Sequence, residues 1–166
     1  TFLAFPFALP EAEWTAETPL CAYRPVPDRL PGAFANRLTV QDWVRLSDGE
    51  ASLLWSSLNT PVISPARLWP SRVSPAHSCV TPPGLDRPPQ DPADLRGGAI
   101  YSLLTANDFG TNFAVSQEGT LVFRYELTTR PGEASVEEAA SFARRATRPM
   151  QTIFTQHPGD RTLPPA

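Results

Sequence analysis

The residues best suited to chemistry lie in one polar run, Asn107-Asp108-Phe109-Gly110-Thr111-Asn112-Phe113. It sets amides, a carboxylate and a hydroxyl beside two phenyl rings. That mixture suits a binding surface, offering donors, acceptors and aromatic faces. The same residue types are ordinary turn formers, and on composition alone a plain turn is favoured over a ligand site. General acid–base chemistry would need two carboxyl groups brought to one bond. Placement in loops nominates Asp42, Asp48, Asp91, Asp94, Asp108 and Glu118, none paired with another by local spacing. Asp108 is the best placed of them, yet so little of a catalytic constellation is visible that catalysis by this chain alone is not expected. His77 and His157 stand far apart, without companions at ligand spacing, so no metal site is read here. There is no Gly-x-Ser-x-Gly, no phosphate-binding glycine loop, no Cys-x-x-Cys, no His-Glu-x-x-His and no repeat.

Two apolar runs must hold the polar loop in place, as loops that bind are usually carried by rigid strands. Ile100 to Thr105 precedes it. Leu121, Phe123, Tyr125 and Leu127 follow, alternating with Val122, Arg124, Glu126 and Thr128 as a strand with one buried face would. Earlier, Phe2 to Leu9 is apolar but contains Pro6, which suits a sheet edge or bulge. Trp14 follows, then Leu20 to Tyr23 as a short strand, and a proline-dense loop from Pro25 to Gly32. Residues 37–46 and 51–58 read as a hairpin around Ser47-Asp48-Gly49-Glu50. Leu38, Val40, Val44 and Leu46 share one face of it, and Trp43 and Trp55 are expected to lie near each other across it. Exposed, the two indoles would suit stacking on sugars; packing is the favoured reading.

Residues 64–98 hold eight prolines, and a structureless stretch that long is either an ordered excursion or a flexible insertion. Ser135-Val136-Glu137-Glu138 forms a capping box that opens a helix to about Thr147, with Ala139, Phe142, Ala143 and Ala146 as its buried stripe. Arg144, Arg145 and Arg148 then favour its C-terminal dipole. Gln151 to Thr155 reads as a last short strand.

At 166 residues, 41% hydrophobic and 19% charged, the chain suits one globular domain. A formal charge of −3 argues against nucleic acid, and no apolar run is long enough to span a membrane. Every basic residue is arginine. Cys21 and Cys79 could pair, though two buried or half-buried thiols are the favoured reading. Two are too few for a secreted disulfide scaffold, so the compartment is left open, a cytoplasmic one preferred to a secreted one. The chain reads as cut at both ends.

A family resemblance runs through several of these stretches in order. Tyr101 to Thr105, Asn107-Asp108, Thr111-Asn112-Phe113, Ser116-Gln117-Glu118-Gly119 and Phe123-Arg124-Tyr125 resemble the C-terminal β-region of glycoside hydrolase family 38 α-mannosidases, bacterial members included. Phe5-Pro6-Phe7, Val40 to Val44, Ser47-Asp48 and Trp55 to Val62 are similar to upstream blocks of the same region.

The resemblance implies an antiparallel β-sandwich or supersandwich of the galactose-mutarotase-like type, with one helix near 136–147. It further implies a parent that is a retaining, zinc-dependent enzyme. The nucleophile and zinc of that parent lie in an N-terminal catalytic barrel missing from this chain. The expected partners are therefore that barrel and mannose-type carbohydrate, with no cofactor in this chain. Asn107, Asp108, Thr111 and Asn112 would bind hydroxyls at the rim of the sugar site, and Phe109 or Phe113 would stack. A free-standing carbohydrate-binding or protein-interaction module is the alternative.

Overall fold

The computed structural model describes residues 1–30, 37–66, 68, 96–105, 116, 118–148 and 150. Within them run β1 (Phe2–Pro6), β2 (Glu13–Glu17), β3 (Ala22–Tyr23), β4 (Leu38–Thr39), β5 (Val44–Ser47), β6 (Ala51–Ser57), β7 (Val62–Pro65), β8 (Ala99–Leu103), β9 (Tyr125–Pro131) and α1 (Val136–Thr147). The strands form two antiparallel sheets, ordered β1-β8-β7-β4 and β3-β2-β5-β6-β9. The architecture is thus all-β with one short helix.

The centre is the β5–β6 hairpin. Its turn is closed by Asp48, whose Oδ1 accepts the N–H groups of Glu50 (3.0 Å) and Ala51 (2.8 Å). Gly49 takes φ 91° there, a conformation costly for any residue with a Cβ. Successive side chains of a strand point to opposite faces, and in this hairpin both faces are covered. Val44, Leu46, Leu53 and Trp55 turn inward with Trp14 and Ala16 of β2, meeting Ile63 of β7 and Ile100 of β8 from the facing sheet. Phe5 of β1 closes this interior, its ring edge-on to Trp55 at 5.8 Å and to Tyr125 at 4.9 Å.

The outer face of the hairpin carries α1. Trp43 and Leu54 pack with Ala134, Ala139, Phe142 and Ala143. The capping box forms as the sequence implies: Ser135 Oγ accepts the Glu138 N–H, and Glu138 Oε2 accepts the Ser135 N–H. Together they satisfy two N–H groups that a helix start leaves without partners. All four residues of the expected apolar stripe are buried.

Three expectations need correction. The run from 37 to 46 is not one strand. β4 joins the four-stranded sheet beside β7 while β5 joins the other, and the chain changes sheets between Val40 and Trp43. Hydrogen bonds hold this corner: Val40 N–H to Pro61 O, Gln41 N–H to Glu17 O, and Ser56 Oγ–H to Asp42 O at 2.6 Å. Val40, Val44 and Leu46 still share one interior, because a corner between facing sheets keeps the same side inward.

Second, Trp43 and Trp55 do not pair. Trp55 stands opposite Val44, so Trp43 belongs to the other face and enters the helix cluster. Both indoles are 1% exposed, which excludes stacking on a ligand and agrees with the packing reading. Third, the strand expected over 121–127 begins only at Tyr125 and runs to Pro131, set by pairing with the seven residues of β6. Of the expected buried face only Tyr125 enters the core, whereas Leu121 is 44% and Leu127 50% exposed. β9 is the last strand of its sheet, and every residue of it after Tyr125 is exposed.

Pro6 closes β1 at the edge of its sheet, as proline demands. Of the 64–98 stretch, Ser64 and Pro65 finish β7, while Gly97 and Gly98 lie against the chain after β1. A Cβ on Gly98 would sit 2.6 Å from Phe7 O, a distance only glycine avoids. Residues 69–95 lie outside the described residues, as does the strand expected over 151–155. No helix among the described residues is long and apolar enough to cross a membrane.

Candidate functional site

The nominated loop residues Asn107, Asp108, Phe109, Thr111, Asn112 and Phe113 lie outside the described residues, but both stems of the loop are described. The outgoing stem is β8 and its extension. The Leu104 N–H donates to Thr1 O at 3.0 Å, and the Thr1 amine donates to Thr105 O at 2.6 Å. The returning stem is held at Arg124, whose N–H donates to Asn59 Oδ1 at 3.1 Å and whose carbonyl accepts the Leu58 N–H at 3.0 Å.

Between the stems lies a cluster of hydroxyls. Thr60 Oγ1 is 2.6 Å from Ser57 Oγ, 2.9 Å from Ser102 Oγ and 3.1 Å from the Tyr125 hydroxyl. Tyr125 also donates to Ser102 Oγ at 3.0 Å. Ser102 and Thr60 are buried. Each hydroxyl can donate once and accept twice, so four of them satisfy one another without a charge. Ser102 belongs to β8, Ser57 to β6 and Tyr125 to β9, so the cluster ties both stems to both sheets. Sequence reasoning missed it, because its members lie far apart in the chain and serine and threonine alternation looks like solvent-facing strand.

The acids distribute differently from their nomination. Asp48 is spent on the hairpin turn, and Glu118 is exposed. Asp91, Asp94 and Asp108 lie outside the described residues, with His77, His157 and Cys79. Cys21 is exposed, its Sγ 3.6 Å from Thr18 Oγ1. Asp42 lies beside a second acid, Glu17, which the sequence reading did not single out. Burial raises the Glu17 carboxyl above its ordinary 4.5, the charge of Asp42 raises it further, and Arg144, Arg148 and the Asp42 N–H pull the other way. Asp42 in turn lies 3.9 Å from Arg148 Nη2. The group joins the sheet corner to the C-terminal end of α1, a structural role for both acids.

The sign of this shift can be tested. A carboxyl raised in the folded state binds its proton more tightly there. Its stabilising contribution is therefore full below the unfolded value and is lost as pH rises through the folded one. Glu17→Gln should match the parent in thermal unfolding at acid pH and exceed it at neutral pH. A variant less stable than the parent at pH 7 would mean that the arginines outweigh burial and Asp42.

Two hollows open at the β2 side of the molecule. One, about 280 Å³, has a floor of Ala12, Trp14, Val26 and Pro27 with Arg24 and Arg96 at its walls. Arg24 grips Asp28 through Nε (3.3 Å) and Nη2 (3.0 Å), which holds the Asp28 carboxyl below its usual range, and Arg96 meets Glu11 at 3.3 Å. The other, about 270 Å³, is lined by Glu11, Glu13, Asp48 and Glu133 around the hairpin turn. Both are at or below the lower limit of ligand-pocket size. Among the described residues no group of three or more histidine, cysteine or acidic side chains is placed to hold a metal ion. The chain matches no family model, no curated protein and no solved structure.

Proposed function

We propose that the chain is the non-catalytic β-region of an α-mannosidase-like glycoside hydrolase. In this reading the sandwich is of the galactose-mutarotase-like type and packs on a catalytic barrel encoded elsewhere in the same protein. Its loop Asn107 to Phe113 forms part of the rim of a mannose-type sugar site. The observation that carries the reading is the convergence of both loop stems on the Ser57–Thr60–Ser102–Tyr125 hydroxyls. The described stems are fixed at Leu104 and Arg124, the kind of rigid base on which binding loops are usually carried. The resemblance of residues 5–7, 40–62 and 101–125 supplies the family, and the turn duty of Asp48 removes one of the six nominated acids.

The test is calorimetric titration of mannose and methyl α-mannoside into the whole chain. Asn107→Ala and Asn112→Ala should each weaken binding about 3- to 10-fold, the loss of one sugar hydrogen bond. Equal affinities in all three proteins, or no binding at millimolar sugar, would remove the loop from the site. Aryl α-mannoside should not turn over, and hydrolysis that disappears in Asp108→Asn would overturn the non-catalytic assignment.

A further inference from the structure

The seven-residue strand β9 is exposed at all but its first residue, and among the described residues it pairs only with β6. Its outward side follows from the ladder. The Gly132 N–H donates to Glu50 O and the Leu58 N–H to Arg124 O, so bonded pairs fall at the even-numbered residues of this strand. Bonded and non-bonded positions alternate in an antiparallel pair, so Glu126, Thr128 and Arg130 turn their backbone groups to β6. Tyr125, Leu127, Thr129 and Pro131 turn theirs outward. Edges with free backbone groups are usually blunted, and here only Pro131, at the far end, lacks a donor.

We propose that this edge docks against the same edge of a second copy, antiparallel, with Leu127 opposite Thr129 of the second copy. In that register the outward N–H groups of Tyr125, Leu127 and Thr129 meet the carbonyls of Pro131, Thr129 and Leu127 of the second copy. Pro131 sits where its missing N–H leaves just one carbonyl of each copy, that of Tyr125, unmatched. Glu126 then faces Arg130 of the second copy, twice by symmetry, and Thr128 faces itself. These are the non-bonded positions of the new pair, where side chains approach most closely. Sliding the register so that Leu127 faces itself would set Glu126 against Thr128 and lose both ion pairs. Charge complementarity therefore selects the occupant and the register together. Arg130 already contacts Glu138 but stays 41% exposed, and its five N–H donors suffice for a second carboxylate. A contact of one strand edge is small, so the association is a weak, concentration-dependent dimer.

Sedimentation equilibrium on the whole chain tests it. The mass should rise from 18.1 kDa towards twice that value as concentration approaches the millimolar range. Glu126→Arg and Arg130→Glu should each stay monomeric, since each places like charges opposite one another. Mixed in equal amounts they should associate again, because the mixed pair carries two opposite-charge contacts. Thr129→Pro, which removes an outward donor and leaves the β6 ladder intact, should also abolish association without moving the unfolding midpoint at low concentration. A parent chain that stays at 18.1 kDa at every concentration, whether because its own residues 151–155 or nothing at all occupies the edge, overturns the proposal. So does a mixture that remains monomeric, or a Thr129→Pro variant that associates as the parent does.

Discussion

Trp55→Ala is expected to cost about 3–5 kcal/mol, as much as the whole stability of a weak domain. The indole is 1% exposed and packs between the sheets, with Phe5 at 5.8 Å and Tyr125 at 5.5 Å between ring centres. Removing it empties the place where β1, β6 and β9 meet, and no neighbour is free to fill it. Urea unfolding at neutral pH should show the midpoint falling with the slope unchanged, the mark of a cavity in an otherwise native state. Trp55→Phe separates volume from polarity. Trp55 Nε1 is buried without a hydrogen-bond partner among the described residues, so the phenyl ring removes an orphaned donor along with some volume. Its cost should be well below that of alanine. An alanine variant within about 1 kcal/mol of the parent would show that the two sheets do not depend on this contact.

Trp43→Ala should cost a similar 3–5 kcal/mol, yet the damage should be local. Trp43 belongs to the second cluster, where Leu54 and Ala134 also receive Ala139, Phe142 and Ala143 of α1. A helix of 12 residues is marginal alone in water, so α1 depends on this docking rather than on its own propensity. Amide hydrogen exchange should therefore accelerate across 136–147 much more than across β1 and β8, whereas Trp55→Ala should accelerate exchange throughout. Uniform acceleration in Trp43→Ala would mean that the helix and the sandwich unfold as one unit.

The parts legible in the sequence are those whose causes are local. The capping box of Ser135 and Glu138, the stripe of α1 and the Asp48-Gly49 turn all follow from residues within a few positions of one another. β6 was readable for the same reason, as the return arm of that turn. What escaped depends on distant chain. β2 offers only Trp14 and Ala16 as inward residues between glutamates at both ends, too short a pattern to stand out until β5 and β3 flank it. The split of 37–46 is decided by β7 and Pro61, and the shift of β9 by the length of β6. At the candidate site, the outgoing stem is legible as a strand, but not the true start of the returning one, the hydroxyls that join them or the neighbourhood of Glu17 and Asp42. The hydroxyls meet only when the sheets face each other, and the acids only when the end of α1 docks beside the sheet corner. The loop residues themselves lie outside the described residues, so their nomination rests on the chemistry of their side chains.

The four hydroxyls also bear on how the layers can move. An apolar interface alone resists separation but tolerates shear, since one greasy contact can be exchanged for another of equal worth. Ser102 and Tyr125 stand on opposite layers and share a proton network through Thr60, so any glide of one layer over the other would maroon these groups in hydrocarbon surroundings. The sandwich is in effect bolted at the end from which the polar loop departs, and the Trp14 Nε1–H bond to Gly97 O, 2.9 Å, fastens it again at the other end of β8.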